Sequence, residues 1–136
     1  MLWFTVKLFM SLFAVQPLAE YWLHRFAHAI RLPYHVAHHK NYGSGAYHSY
    51  AGDAVAWGII AVLLVAGQPW WALAAFKYEI THLLAHIDAS NSQHAHHRMH
   101  HRNPYCNYSF SVVWPDMLFG THVTEAGSTA TTRAES

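Results

Sequence analysis

The sequence predicts an all-α fold, an integral membrane helical bundle with a histidine-rich site at its cytoplasmic edge. Three observations predict it. The 136 residues are 53% hydrophobic and only 11% charged, whereas an ordinary soluble domain is roughly a quarter charged. Long apolar stretches match the thickness of a bilayer. Histidines recur at the three- and four-residue intervals that place side chains on one face of a helix. Mean hydropathy is nonetheless only +0.04, because 14 histidines and a polar tail offset the apolar segments.

The first element is residues 2–23, "LWFTVKLFMSLFAVQPLAEYWL", whose only charges are Lys7 and Glu20. Its 22 residues suffice to cross a hydrocarbon layer about 30 Å thick, and Pro17, which lacks an N–H, predicts a kink. A signal peptide is the rival reading. The N-terminus lacks a basic leader region, however, and the chain runs into "EYWLHRFAH" with no convincing small-residue cleavage site.

A second apolar run, "AVAWGIIAVLLVA" at residues 54–66, is followed by a third that begins at Trp70. Gly67, Gln68 and Pro69 between them read as a tight turn joining antiparallel helices. Counted from Tyr50, the second run is 17 residues, the lower limit for a span. The turn is uncharged, whereas Arg25, Arg31, Lys40, Arg98 and Arg102 all lie in the histidine-bearing segments. The positive-inside rule therefore places those segments at the cytoplasmic face. Residues 1–122 form one domain, and 123–136 read as a disordered polar tail.

A formal net charge of +1 leaves no basic footprint for nucleic acid. The single cysteine, Cys106, permits neither an internal disulfide nor a cysteine-based zinc site. A metal in this chain must be held by nitrogen or oxygen.

Four groups account for ten histidines: His24 and His28 in "HRFAH", His35, His38 and His39 in "HVAHH", His82 and His86 in "HLLAH", and His97, His100 and His101 in "HRMHH". On helices each group can aim its rings at a common point. Ten nitrogens exceed the needs of one ion and suit two ions at five each, so the spacing asks for a dinuclear site. Imidazole accommodates iron, zinc, copper and nickel alike. A bis-imidazole haem uses only two histidines and leaves the doublets unexplained. His48, His94, His96 and His122 fall outside the repeat and are read as non-ligands. Glu20, Glu79 and Asp88 stand two to four residues from a grouped histidine, placed to accept the second ring proton of a ligand.

At this level of detail the residues resemble the sterol desaturase and fatty acid hydroxylase superfamily of integral membrane oxygenases. The resemblance rests on "YWLHRFAH" (21–28), "HVAHHK" (35–40), "THLLAHID" (81–88) and "AHHRMHHRNPYCNYSFSVVWPDMLFGT" (95–121), and covers roughly residues 17–122. "GAYHSYAGD" (45–53) is similar to a further family segment, with Ser49 where proline is usual. Two departures stand out. Relatives carry more membrane helices ahead of the first motif, and Pro115 and Met117 flank Asp116 where a Trp-Asp-Arg triplet is usual.

The resemblance implies a di-metal enzyme, with iron in the working protein and zinc an occupant in purified or crystallised forms. It hydroxylates or desaturates a lipid such as a fatty acyl chain, sterol or carotenoid with O₂, and the ten grouped histidines are the ligands. With no GxGxxG and one cysteine, electrons must come from an external ferredoxin or a b-type cytochrome with its reductase. Arg31, Lys40, Arg98 and Arg102 are placed to meet such a donor, or phosphate headgroups. Trp22, Tyr34, Tyr42, Tyr105 and Tyr108 read as an interfacial belt or as the lining of an acyl channel. Three helices give little cover for a long lipid, so the bilayer or a second protomer of a homo-oligomer is expected to complete the groove. Three alternatives stay open: a metal-transporting or non-catalytic metal-binding membrane protein, a zinc-dependent lipid hydrolase, and a minimal relative that has lost catalysis.

Overall fold

The computed structural model describes residues 2–41, 50–87 and 92–124, apart from the side chains at 50–53, 87 and 92. The described elements are helical throughout. Helix α1 (Leu2–Met10) passes through a π-helical turn (Ser11–Val15) into α2 (Gln16–Ala29), then follow α3 (Pro33–Asn41), α4 (Tyr50–Val65), α5 (Pro69–Ile87), α6 (Ser92–Arg102) and the short α7 (Trp114–Leu118).

Pro17 is absorbed without breaking the first helix, and the π-helical turn is the reason. In that turn the Gln16 N–H bonds to Ser11 O, five residues back. The next bond of the series would run from residue 17 to Leu12 O, which proline cannot supply. Lys77 of α5 supplies it instead: its Nζ donates to Leu12 O at 3.1 Å and to Gln16 Oε1 at 2.6 Å. The Gln16 amide continues the chain to Glu20 Oε2 at 2.6 Å. A cation in an apolar hairpin thus satisfies the carbonyl that a proline leaves open.

The two turns that fold the chain back are built alike. After α4, Gly67 takes φ +67°, with Gly67 N–H bonding Leu64 O and Gln68 N–H bonding Leu63 O. That is a Schellman ending, and Pro69 then opens α5. After α2 the same pair of bonds forms from Arg31 to His28 O and from Leu32 to Ala27 O, with Arg31 at φ +53° before Pro33. An L-residue in this conformation costs about 1 kcal/mol. In return α3 doubles back so that His35 and His39 face α2 while His38 faces α5 and α6.

Helix α5 is the hub, packing on α4, α6, α2 and the π-helical turn. The outward faces of α1 and α4 are apolar, with Leu2, Trp3, Phe9, Val62 and Val65 well exposed, as a lipid-facing surface requires. Of the three apolar runs, only Leu2–Ala29, 28 residues, is long and apolar enough to cross a membrane among the described residues. The apolar part of α4, Ala54–Val65, is shorter, and α5 carries Lys77 and Glu79 midway. The tail from 125 onward lies outside the described residues, while Val123 is tied in by Asn107, whose Oδ1 accepts its N–H at 2.8 Å.

Replacing Lys77 by methionine keeps the side-chain length and removes the donor. Two part-buried acceptors are then stranded, and the variant should lose about 1 kcal/mol of stability, read as a lowered denaturation midpoint in detergent.

Candidate metal centre

The grouped histidines come together from four helices. His24, His28, His35, His39 and His100 form one cluster and His38, His86, His97 and His101 a second, the ligand atoms within each lying within 4.8 Å of one another. His82 borders the second, its Nε2 3.1 Å from His86 Nε2. The clusters adjoin, with the His39 and His101 rings 4.4 Å apart.

The partition corrects one sequence expectation. The triples do not each aim at one point. His35 and His39 serve the first cluster while His38 serves the second, and His100 serves the first while His97 and His101 serve the second. Helix geometry dictates this: positions four apart lie about 40° apart around the axis, but neighbours diverge by about 100°. Each doublet therefore spans both clusters.

Within the clusters the Nε2 atoms converge. Separations are 2.9 Å for His28–His35, 3.0 Å for His28–His100 and 3.2 Å for His39–His100, then 2.9 Å for His86–His97 and 3.1 Å for His97–His101. With metal–nitrogen bonds of about 2.0–2.1 Å, ligands at right angles stand about 3.0 Å apart, so these edges suit an ion of high coordination number. The Nδ1 side decides which lone pair is free. His100 Nδ1 donates to Cys106 O at 2.7 Å and His24 Nδ1 to Tyr108 O at 2.5 Å, which leaves both Nε2 atoms unprotonated and facing inward. Neighbouring rings at this range can pair through an Nε2–H, but His24 and His100 have no Nε2 proton to give and present lone pairs to the cluster, so the donor set fits metal.

Burial, reinforced by neighbouring imidazoles, lowers the basicity of these rings. His35 falls to about 3 and His39 to about 4, and His97, His100 and His101 are lowered too. All are held neutral near pH 7, the form that binds metal.

Among the expected carboxylate partners, Glu20 bonds elsewhere. Glu20 is buried and accepts the backbone N–H of Phe110 at 2.5 Å and of Ser111 at 3.0 Å, together with the Gln16 amide, so it meets the protein backbone where an imidazole was expected. Glu79 is buried and lines the cavity described below. Asp88 lies outside the described residues.

Backbone carbonyls of the strap 103–113 do the orienting instead. Asn107 shapes that strap. It adopts φ +54°, which asparagine tolerates well, while its side chain bonds His96 O and the backbone of Val123. Asp116 accepts from Tyr108 N, Ser109 N, Thr121 Oγ1 and His96 Nε2. Burial pushes its carboxyl upward, but the hydrogen bonds from His96, Thr121 and Ser109 outweigh that and hold it below the usual range.

His96 is thus a partner of Asp116, His94 bonds Ala85 O at 2.9 Å, and exposed His122 stacks on His96. His48 lies outside the described residues. The Cys106 thiol is pushed up by burial and bonds Asn103 O.

A largely apolar cavity of about 700 Å³ opens beside the clusters. Leu23, Phe26, Val55, Ile59, Leu63 and Trp71 form walls, and His24, His35, His38 and His82 border one end. Tyr34 lines it, whereas Trp22 and Tyr105 are exposed and Tyr108 is buried against the strap. Tyr42 lies outside the described residues. Phe110, 1% exposed, packs on His24, His82 and His97.

The profile of the fatty acid hydroxylase family matches residues 9–121, which span all four histidine segments. The chain belongs to the fatty acid hydroxylase family. Comparison with curated proteins and with solved structures returns no significant match. For a fatty acid hydroxylase family member the sequence singled out the histidines. It missed Phe110 and the carbonyls of Cys106 and Tyr108, which leave no side-chain signal.

Two predictions follow from the geometry. His39→Ala and His38→Ala should each lower bound metal from two ions towards one, by removing ligands from different clusters, as counted by elemental analysis of purified protein. For pH, a histidine neutral when folded but charged when unfolded makes the unfolded state bind more protons. The metal-free protein should therefore lose stability as pH falls below about 6.5; the contributions of His39 and His35 level at about 4 and about 3, while those of His97, His100 and His101, lowered further, keep growing across the range. Unfolding midpoints across pH 3–8 check it.

Proposed function

We propose that the protein is a membrane-bound, O₂-dependent di-iron oxygenase that hydroxylates or desaturates a lipid. One observation carries the reading: histidines of both clusters border an apolar cavity of about 700 Å³ built by a single chain, a size suited to a small-molecule substrate.

Iron ions, when bound, supply the reductive activation of O₂ needed to attack an unactivated C–H bond. His24, His28, His35, His39 and His100 hold one ion, and His38, His86, His97 and His101, with His82 beside them, hold the other. The cavity binds the hydrocarbon part of the substrate. From His82 to Trp71 it follows eleven residues of α5, about 16 Å along the axis, so an extended chain is laid with one stretch against the histidines. Leu23, Phe26, Ile59 and Leu63 give it an apolar wall, and Phe110 packs against the histidines from behind.

Support for a cytoplasmic metal site and an external electron donor comes from charge. Arg25, Arg31, Lys40 and Arg102 are exposed and each follows a clustered histidine by one to three residues, whereas Glu20, Glu79 and Asp116 are buried. The exposed charge at this end is positive among the described residues, as the positive-inside rule and an acidic ferredoxin or cytochrome both require.

The test is lipid mass spectrometry of cells expressing the intact chain or a His97→Ala, His101→Ala version. An oxygenated or desaturated lipid formed only with the intact chain is the expected result. Identical lipid profiles would overturn the assignment.

A further inference from the structure

We propose that Glu20 is a positioning residue chiefly for the first histidine cluster, acting together with Asp116 through the backbone strap at residues 106–111. The inference rests on the dimetal reading above and adds to it a difference between the two sites.

Four consecutive amides are held by two buried carboxylates. Asp116 takes Tyr108 N and Ser109 N, both at 2.8 Å, and Glu20 takes Phe110 N at 2.5 Å and Ser111 N at 3.0 Å. The acids come from opposite sides, Glu20 from α2 and Asp116 from α7, and are 2% and 0% exposed. Hydrogen bonds from amides to buried carboxylates are short and strong, so the strap has little freedom to slide or rotate.

Its carbonyls point the other way. Cys106 O and Tyr108 O receive the Nδ1 protons of His100 and His24, and both of those rings belong to the five-histidine cluster. Carboxylate, amide, carbonyl and imidazole thus form one relay of orientation. The second cluster has a different footing: His97 Nδ1 is buried and takes no hydrogen bond among the described residues. Loss of an outer partner of a metal-bound imidazole typically costs 10–100-fold in affinity, and here that cost falls mainly on one ion.

Glu20 is the cleaner member to test, because Asp116 also bonds His96 beside the second cluster. Glu20→Gln keeps the shape but places an N–H₂ group against amide donors. The purified full-length chain in nanodiscs is loaded with Zn²⁺, the ions are counted, and their release to excess chelator is followed in time.

The expected wild-type result is two ions released in two phases, the slower one absent in His39→Ala. Glu20→Gln should accelerate the slow phase 10–100-fold and the fast phase much less, since the strap meets the second cluster through the packing of the Phe110 ring. Asp116→Asn should accelerate it too, and keeps the test open if Glu20→Gln fails to fold. Ile60→Ala, in a buried position on α4, controls for general destabilisation and should shift the unfolding midpoint without selecting a phase.

Equal acceleration of both phases, or none, overturns the positioning role and leaves the dimetal reading standing. Uptake of fewer than two ions by the wild type overturns both.

Discussion

The position of two protons governs the metal centre. Because His24 and His100 give their Nδ1 protons to the carbonyls of Tyr108 and Cys106, their Nε2 lone pairs must face inward. Neutral rings meeting at about 3 Å can share a cation or pair through one ring's Nε2–H and its neighbour's lone pair, but these two rings have no Nε2 proton to give. Burial closes the third route, protonation, by holding rings such as His35 and His39 neutral. Fold, electrostatics and metal preference are one problem here, solved by the backbone of an irregular segment.

The same economy appears in the first helix. A proline in an apolar helix leaves a carbonyl without a donor, and a lysine in an apolar hairpin carries a charge without a counterpart; either alone is costly. Lys77 against Leu12 O and Gln16, and Gln16 against Glu20, cancel both costs in one polar chain. The chain ends on the strap, so the packing of α5 on the first helix and the framing of the first cluster share Glu20 as a common member.

Much of this was legible in the sequence, because intervals of three and four are a local property of helices. The histidine groups could be read that way, and the Gly67-Gln68-Pro69 turn from its turn-forming residues, whereas the interruption expected at Pro17 is absorbed by the π-helical turn before it. The division of each triple between two clusters was also present in the spacing, since adjacent residues diverge by about 100°, but becomes visible only when the partner helices are in place. The strap was hidden for a deeper reason. Glu20 and Phe110 are 90 positions apart, and carbonyl oxygens occur at every residue, so nothing in the letters marks those of Cys106 and Tyr108. The α-helical spacing of Glu20 from His24 suggested a direct contact, whereas Glu20 turns instead to the strap.

The doublets His38–His39 and His100–His101 carry one more implication. Neighbouring residues on a helix cannot alter their relative azimuth without unwinding a turn, so the two clusters cannot drift apart independently. The interval between the clusters is a dimension of the α-helix itself, ruled into the backbone at two places and indifferent to whatever occupies the apolar chamber alongside.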